Sequence, residues 1–173
     1  GLGANEVTYL CNVLQIPDPE WQNAIEGILG FNRFVLLVPP AHYDAAMQLY
    51  RKYKDTIYGA TLLDTESILS KATEHATRTS DSLASEIQTD HPAARAFINI
   101  ILGNYVKCSN IEQLRNHRTA ITRECFIRRN FTDSHLNPQV YRRWFIGERA
   151  APRQIEHRET RIKEIATELT QLN

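Results

Sequence analysis

Seven arginines lie close together in the second half of the chain, and they are the residues best suited to binding a ligand. They are Arg115, Arg118, Arg123, Arg128, Arg129, Arg142 and Arg143, with Phe126, Phe131, Tyr141 and Trp144 interleaved. The planar guanidinium group presents a rigid fork of hydrogen-bond donors that suits phosphate oxygens. Two interpretations are open: contact with the phosphates of DNA, and a solvated face that balances acidic residues elsewhere.

The other reactive residue types form no catalytic or metal-binding pattern. The chain contains no phosphate loop of the form GxxxxGKS/T, no HExxH zinc motif and no GxSxG nucleophile motif. Cys11, Cys108 and Cys125 are far apart and include no CxxC pair, which argues against structural zinc and a disulfide framework. We therefore predict no catalytic residue, no metal ligand and no bound cofactor in this chain, and we expect buried or half-buried thiols in a reducing compartment.

The charge of the chain is balanced overall but unevenly distributed. The 173 residues include 20 Lys/Arg and 20 Asp/Glu. Residues 1–106 hold 7 basic and 12 acidic residues, whereas residues 107–153 hold 10 basic and 4 acidic residues. No run approaches the ~20 apolar residues that a membrane span requires, and the start lacks the pattern of a signal peptide. We expect a cytoplasmic protein or an excised piece of one.

The first part of the chain predicts a small α/β unit. Asp18 and Pro19 are expected to begin a helix as N-cap and first residue, and Gly30 to end it. The predicted strands are VTYLCNVLQI, the central strand RFVLLV, and TIYGATLLD. The amphipathic segment AHYDAAMQLYRKYK predicts a helix between the last two.

The same order of elements recurs further along the chain. The segment beginning at Pro92, PAARAFINIILG, matches PEWQNAIEGILG in its spacing, and each leads into a strand, a helix and another strand. The second set is YVKC, IEQLRNHR and AITRECFI, with RRWFIG as a last strand. We predict a mixed α/β fold of two related half-domains. The expected organisation is 1–72 first lobe, 73–90 polar connection, 91–149 second lobe and 150–173 coiled-coil arm.

The last twenty residues have the pattern of a two-stranded coiled coil. Ile155, Ile162 and Leu169 occupy the a positions of the heptad, and Ile165 and Leu172 occupy the d positions. Isolated helices of about two heptads are marginal in water. The pattern therefore requires a partner helix.

Five segments resemble, in the same order, the landmarks of one known type of domain. They are VTYLCNVLQIPDPEWQNAIEGILGFNRFVLLV, IYGATLLDT, HPAARAFINIILGN, the AIT of AITRECF, and FIGERAAPRQI. On these segments, which span about residues 6–160, the chain resembles the hinge domain of bacterial SMC-like ATPases. The group includes MukB/MksB-type condensins, Wadjet-type condensins and Rad50-like relatives.

The resemblance implies a hinge at the far end of a long antiparallel coiled coil whose other end carries an ATPase head. The missing partner would be the helix that precedes residue 1, on the incoming arm of the same chain. Two hinges would form a homodimer, and the parent would be an ATP-driven, DNA-organising machine in chromosome segregation or in defence against plasmids and phage. ATP and Mg would bind only in the head, so this chain would be no enzyme. Its location would be the bacterial cytoplasm, at the nucleoid.

The chain departs from the hinge pattern at two places. Relatives carry a glycine-bearing turn after AIT, where this chain has Arg123, Glu124 and Cys125, and the glycine-rich interface strands of typical hinges are missing. Both departures affect where a dimer contact would lie. Two alternatives also stay open: an interaction module without DNA contact, and a nucleotide- or sugar-phosphate-binding enzyme domain, which would need a glycine-rich loop after a strand.

Overall fold

Two small β-sheets, one from each half of the chain, form the framework of a computed structural model that describes residues 7–71 and 79–171. The first sheet has the order β1-β2-β3, with β1 Thr8–Tyr9, β2 Leu36–Val38 and β3 Leu62–Asp64. The second has the order β4-β5-β6-β7, with β4 Val106–Cys108, β5 Thr119–Thr122, β6 Phe126–Arg129 and β7 Thr132–His135. The pairs β2–β3 and β4–β5 are parallel, and the other pairs are antiparallel.

Helices flank both sheets. They are α1 Gln22–Leu29, α2 Pro40–Lys52, α3 Thr65–Ser70, α4 Pro92–Leu102, α5 Pro138–Tyr141 and α6 Ala150–Gln171. Side chains cap five of the described helical segments by accepting a backbone N–H: Asp18 from Glu20, Asp64 from Ser67, Ser82 from Ala84, His91 from Ala94, and Asn137 from Gln139. The capping role expected for Asp18 is thus confirmed.

The predicted recurrence of elements is present in the structure. In the first half α1 precedes β2, and α2 connects β2 to the parallel strand β3. In the second half α4 precedes β4, and the 3-10 helix Glu112–Asn116 connects β4 to the parallel strand β5. The predicted mixed fold of short sheets flanked by helices is therefore confirmed.

One hydrophobic core joins the two halves. Its fully buried members include Leu14, Ile25, Leu29, Leu37, Leu83, Ile87, Ile98, Leu102, Ile121 and Ile146. Leu83 and Ile87 belong to the end of the predicted polar connection, so this part of it packs into the core. The lobe boundaries themselves stay a prediction.

Several predicted elements were wrong in type or extent. The segment VTYLCNVLQI contains only the short strand β1, because the chain turns into the 3-10 helix Leu10–Val13, and TIYGATLLD is a strand only at β3. The segment IEQLRNHR forms a 3-10 helix rather than an α-helix. RRWFIG is neither helix nor strand, since side chains rather than a neighbouring strand bind its backbone. Apolar runs are buried whether they form a strand, a helix or an irregular segment, so hydrophobicity alone did not distinguish these kinds of element.

The turn between β5 and β6 falls where the sequence departs from the glycine pattern. Cys125 has φ +67° there, and its side chain is buried. This backbone conformation favours glycine, and a non-glycine residue adopts it at some cost. A turn is therefore retained at this position without a glycine.

The thiol of Cys125 is unreactive at neutral pH. Burial raises its pKa to about 11, so it stays protonated.

Gly27 permits the close approach of α1 and α5. A Cβ atom at Gly27 would lie 2.8 Å from Leu136 Cδ1 and 3.0 Å from Tyr141 Cβ. We expect Gly27→Ala to lower the free energy of unfolding by about 1–2 kcal/mol, because overpacking outweighs the better helix propensity of alanine. Urea titration measures the change. In a double-mutant cycle with Leu136→Ala, the two substitutions should cost less together than the sum of each alone; strict additivity would contradict the overpacking argument.

Candidate nucleic-acid interface at the base of the long helix

The seven arginines predicted to contact DNA fall into two separate groups in the structure. Five of them belong to the second sheet or its connections: Arg115, Arg118, Arg123, Arg128 and Arg129. The other two, Arg142 and Arg143, precede α6 in the irregular segment 142–149. A cluster that is continuous in sequence is thus divided between two parts of the fold.

Two arginines of the sheet group form ion pairs within the chain. Arg123 Nε lies 2.9 Å from Glu20 Oε2, and its guanidinium carbon lies 4.8 Å from the centre of the Trp21 ring. Arg128 Nη1 lies 2.6 Å from Asp133 Oδ2, and only 13% of the Arg128 side chain is exposed. These contacts compete with phosphate for the same donors.

The other sheet arginines are more accessible. Arg118 Nε donates to Asn130 Oδ1 at 3.0 Å, and Arg129 Nε donates to the hydroxyl of Tyr105. Arg115 is exposed beside a shallow hollow that Phe126 also lines. Guanidinium donors of these three arginines that are not used in such contacts remain accessible to a ligand.

Arg142 and Arg143 contribute to a basic groove between the globule and α6. We call this surface the arm-base groove, and it has a volume of about 510 Å³. Its lining is Arg142, Arg143, Trp144 and Phe145 from the globule, and Arg153, Gln154, Arg158, Arg161 and Ile162 from α6. The groove therefore brings together five arginines, of which the sequence analysis selected two.

The positive charge of the groove is only partly compensated. Arg153 pairs with Glu156 at 2.7 Å, and Arg161 pairs with Glu164 at 3.0 Å. The side chains of Arg142, Arg143 and Arg158 have no partner among residues 7–71 and 79–171. The Nε of Arg153 is also buried without a hydrogen-bond partner in that part of the chain. The groove thus presents about three uncompensated cations.

A buried carboxylate fixes the globule side of the groove. Glu26, on α1, has no exposed surface, and its Oε1 accepts the backbone N–H of Phe145 at 2.7 Å and of Ile146 at 2.9 Å. Gln22 Nε2 donates to the same oxygen at 3.0 Å and also to the carbonyl of Ile146 at 3.0 Å. Buried backbone groups need partners, and in this segment side chains supply them.

Arg33 completes this support. Its Nη1 lies 2.7 Å from Glu26 Oε2 and donates to the carbonyl oxygen of Arg143 at 2.7 Å, while its Nε donates to the Gly30 carbonyl at 2.6 Å. The guanidinium carbon also lies 4.8 Å from the centre of the Phe145 ring. The backbone that carries the groove residues is therefore held from two directions.

The chain enters and leaves the globule at neighbouring places. The ring of Tyr9, next to the first described residues, lies 6.4 Å from that of Phe34, which lies 4.8 Å from that of Phe145 in the groove. Arg149, immediately before α6, donates to the carbonyls of Ile16 and of Pro17, the latter at 3.2 Å. The base of α6 is thus attached to the N-terminal part of the fold.

The apolar residues of the predicted coiled-coil seam are exposed where the structure describes them. The exposed fractions are 58% for Ile155, 66% for Ile162 and 41% for Ile165. The side chain of Leu169 and all of Leu172 lie outside the described residues. Three isoleucines exposed at heptad spacing are consistent with a face that packs against another helix.

Solved structures with similar folds are found across different organisms. The Pyrococcus furiosus SMC protein hinge domain matches with a TM-score of 0.57 and 18% identity, over 76% of this chain and 73% of that one. The Geobacillus stearothermophilus SMC hinge domain, solved as an asymmetric dimer, matches with a TM-score of 0.59 and 17% identity, over 96% and 71%. This chain has the SMC hinge fold. A structure of the folded elbow of cohesin matches with a TM-score of 0.56 and 15% identity, over 95% of this chain and 25% of that one.

Two comparisons based on sequence find no match for this chain. Neither a family model nor a curated protein matches the chain. The resemblance to SMC hinges was therefore visible in the order of the motifs and is confirmed by the fold.

The groove arginines of α6 were not among the predicted site residues. Arg161 belongs to the charged flank of the predicted coiled coil, and Arg153 and Arg158 had no predicted role, whereas all three line the same groove as Arg142 and Arg143. Arg158 and Arg161 are three residues apart and therefore neighbours on the helix surface, and Arg153 lies about two turns before Arg161 on a similar side; this spacing is the signal that could have identified them. Nothing in the sequence marked Glu26 and Arg33 as a buried pair.

The described residues include no other obvious reactive site. No group of three or more His, Cys, Asp and Glu side chains within residues 7–71 and 79–171 could hold a metal ion. Burial raises the pKa of Cys11 and of Cys108, as it does for Cys125. No helix in the described part of the chain is both long and apolar enough to span a bilayer.

Proposed function

We propose that this chain is the self-association hinge of an SMC-like machine and that it contacts DNA through the arm-base groove. The observation that carries the proposal is the arrangement at the base of α6. The chain enters beside the place where it leaves, and the departing helix exposes Ile155, Ile162 and Ile165. A helix returning along this face would cover the isoleucines, and the natural candidate is the incoming arm of the same chain.

Self-association is supported by the unpaired edges of the two sheets. Strands β3 and β7 are terminal in their sheets and have no second strand partner among the described residues. Apolar side chains are exposed in the stretch of chain that contains β3, which we call the 47–69 segment: Met47, Leu49, Tyr53, Ile57, Tyr58 and Leu69. Helix α2, which begins this stretch, has no buried residue. Edges and apolar patches of this kind favour contact with a second chain.

DNA contact is supported by the composition and shape of the groove. Arginine suits phosphate oxygens, and Trp144 lines the same surface. Arg115, Arg118 and Arg129 offer a second, weaker candidate surface, while Arg123 and Arg128 would have to leave their carboxylate partners.

The wider role follows from the same proposal. The parent protein would bind ATP and Mg through head segments outside this chain and would act at the nucleoid, in chromosome maintenance or in defence against foreign DNA. This chain would contribute association and DNA contact without turnover. The competing function is an interaction module that self-associates and has no affinity for DNA.

Duplex-DNA binding at two salt concentrations separates the two functions. If Arg142, Arg143 and Arg158 each contact a phosphate, log K should fall against log[salt] with a slope of about −2.7, so that raising salt from about 50 to 200 mM weakens binding about 40-fold. Fluorescence anisotropy of a labelled duplex measures the slope. Binding that is absent or independent of salt would favour the interaction module.

A further inference from the structure

The buried pair of Glu26 and Arg33 joins the place where the chain enters to the place where it leaves. On the entry side, Leu10 donates its N–H to the carbonyl of Val35 at 2.8 Å, two residues after Arg33. On the exit side, Glu26 and Arg33 bind the backbone of residues 143–146, which leads into α6. We propose that this pair, which we call the clasp, fixes the direction of α6 relative to the entering strand.

The chemistry of the clasp suits a role in orientation more than one in stability. Its side chains are 0% exposed for Glu26 and 6% for Arg33. Removing two charges from water offsets most of their attraction, so a buried ion pair adds little net stability compared with apolar residues of similar size. Its hydrogen bonds are directional, however, and they define a single position for the backbone that they bind.

No regular secondary structure holds residues 143–146 in place. Their polar backbone atoms bind side chains: the carbonyl of Arg143 binds Arg33, and the N–H groups of Phe145 and Ile146 bind Glu26. The Trp144 carbonyl accepts from Gln154 of α6 at 2.6 Å. A shift of this segment would therefore be passed directly to the helix.

A separate anchor at the start of α6 would act as a pivot. Arg149 holds the start of the helix to the carbonyls of Ile16 and Pro17 independently of the clasp. Loss of the clasp should accordingly change the tilt of the arm without detaching it. The inference goes beyond the proposed function, because arm direction depends neither on DNA contact nor on self-association.

Distances between spin labels test the clasp. The distance between labels on Val7→Cys and Lys163→Cys reports the position of α6 relative to the place where the chain enters. The distance between labels on Val7→Cys and Ser109→Cys reports on the globule alone. These three positions are exposed, whereas the native cysteines are buried, so the introduced thiols react selectively. Doubly labelled chain is diluted into excess unlabelled chain, which removes distances between two copies.

The test variant is Glu26→Leu/Arg33→Met, because neither new side chain can bind the backbone of residues 143–146 and because a single substitution would leave a buried charge without its partner. We expect the width of the Val7–Lys163 distance distribution to at least double while the Val7–Ser109 distribution stays unchanged. The matched control, Glu156→Leu, makes the same chemical change on the arm and should leave both distributions unchanged. An unchanged Val7–Lys163 distribution would overturn the inference. Broadening of both distributions would also overturn it, since the pair would then hold the globule together.

Discussion

Replacing Arg142, Arg143 and Arg158 by glutamine should remove most of the salt dependence of duplex-DNA binding. Each phosphate contact contributes about −0.9 to the slope of log K against log[salt], so losing three contacts should reduce a slope of about −2.7 to nearly zero. Affinity at about 50 mM salt should fall by at least tenfold. Anisotropy titrations of one labelled duplex at several salt concentrations measure both quantities.

The control for this variant removes the same charge elsewhere. Arg51, Lys52 and Lys54 are exposed at the end of α2 and just beyond it, outside the lining of the arm-base groove. They lie within the 47–69 segment, so sedimentation velocity first establishes that the control variant associates as the unchanged chain does. Their replacement by glutamine should leave the slope unchanged. Equal losses in the two variants would show that binding follows overall charge, and the groove would then have no special role.

Ile57→Asp/Tyr58→Asp should weaken self-association by at least about 100-fold. The exposed fractions are 46% for Ile57 and 88% for Tyr58, and both lie in the 47–69 segment, shortly before the edge strand β3 in the sequence. Truncating a tyrosine at the centre of an interface commonly costs 2 kcal/mol or more, about 30-fold in Kd, and burying a carboxylate adds to this cost. Sedimentation velocity over a range of concentrations measures the change.

Phe31→Asp is the matched control for the interface variant. Phe31 is 91% exposed and lies in the turn after α1, outside the 47–69 segment. Its replacement removes an equally exposed aromatic residue and should leave the dissociation constant unchanged. Equal weakening by both variants would place the interface elsewhere or show that exposed aromatic residues associate without specificity.

The sequence predicted best the elements whose pattern is local. Helix caps, the amphipathic face of α1, and the central position of RFVLLV depend on near neighbours, and the structure contains each of them. The prediction was wrong for RRWFIG because the partners of its backbone are the side chains of Glu26 and Arg33, more than a hundred residues away. Such pairings leave no periodic trace in the sequence.

The candidate site was predicted only in part for the same reason. Arg142 and Arg143 were found because arginines are frequent in that part of the sequence, yet the groove also requires α6 to lie beside them. Arg123 and Arg128 belong to the same dense stretch, but Glu20 and Asp133 already bind them. The carboxylate that each arginine faces cannot be derived from counting basic residues.

The most direct test of a self-associating hinge is the mass of the purified chain in solution. Sedimentation equilibrium at tens of micromolar should give twice the mass of one chain, as expected for a specific interface of about 1,600 Å². The mass should not change with salt, because apolar residues of the 47–69 segment form the contact and salt screens only charges. A single monomeric species at these concentrations would contradict the account.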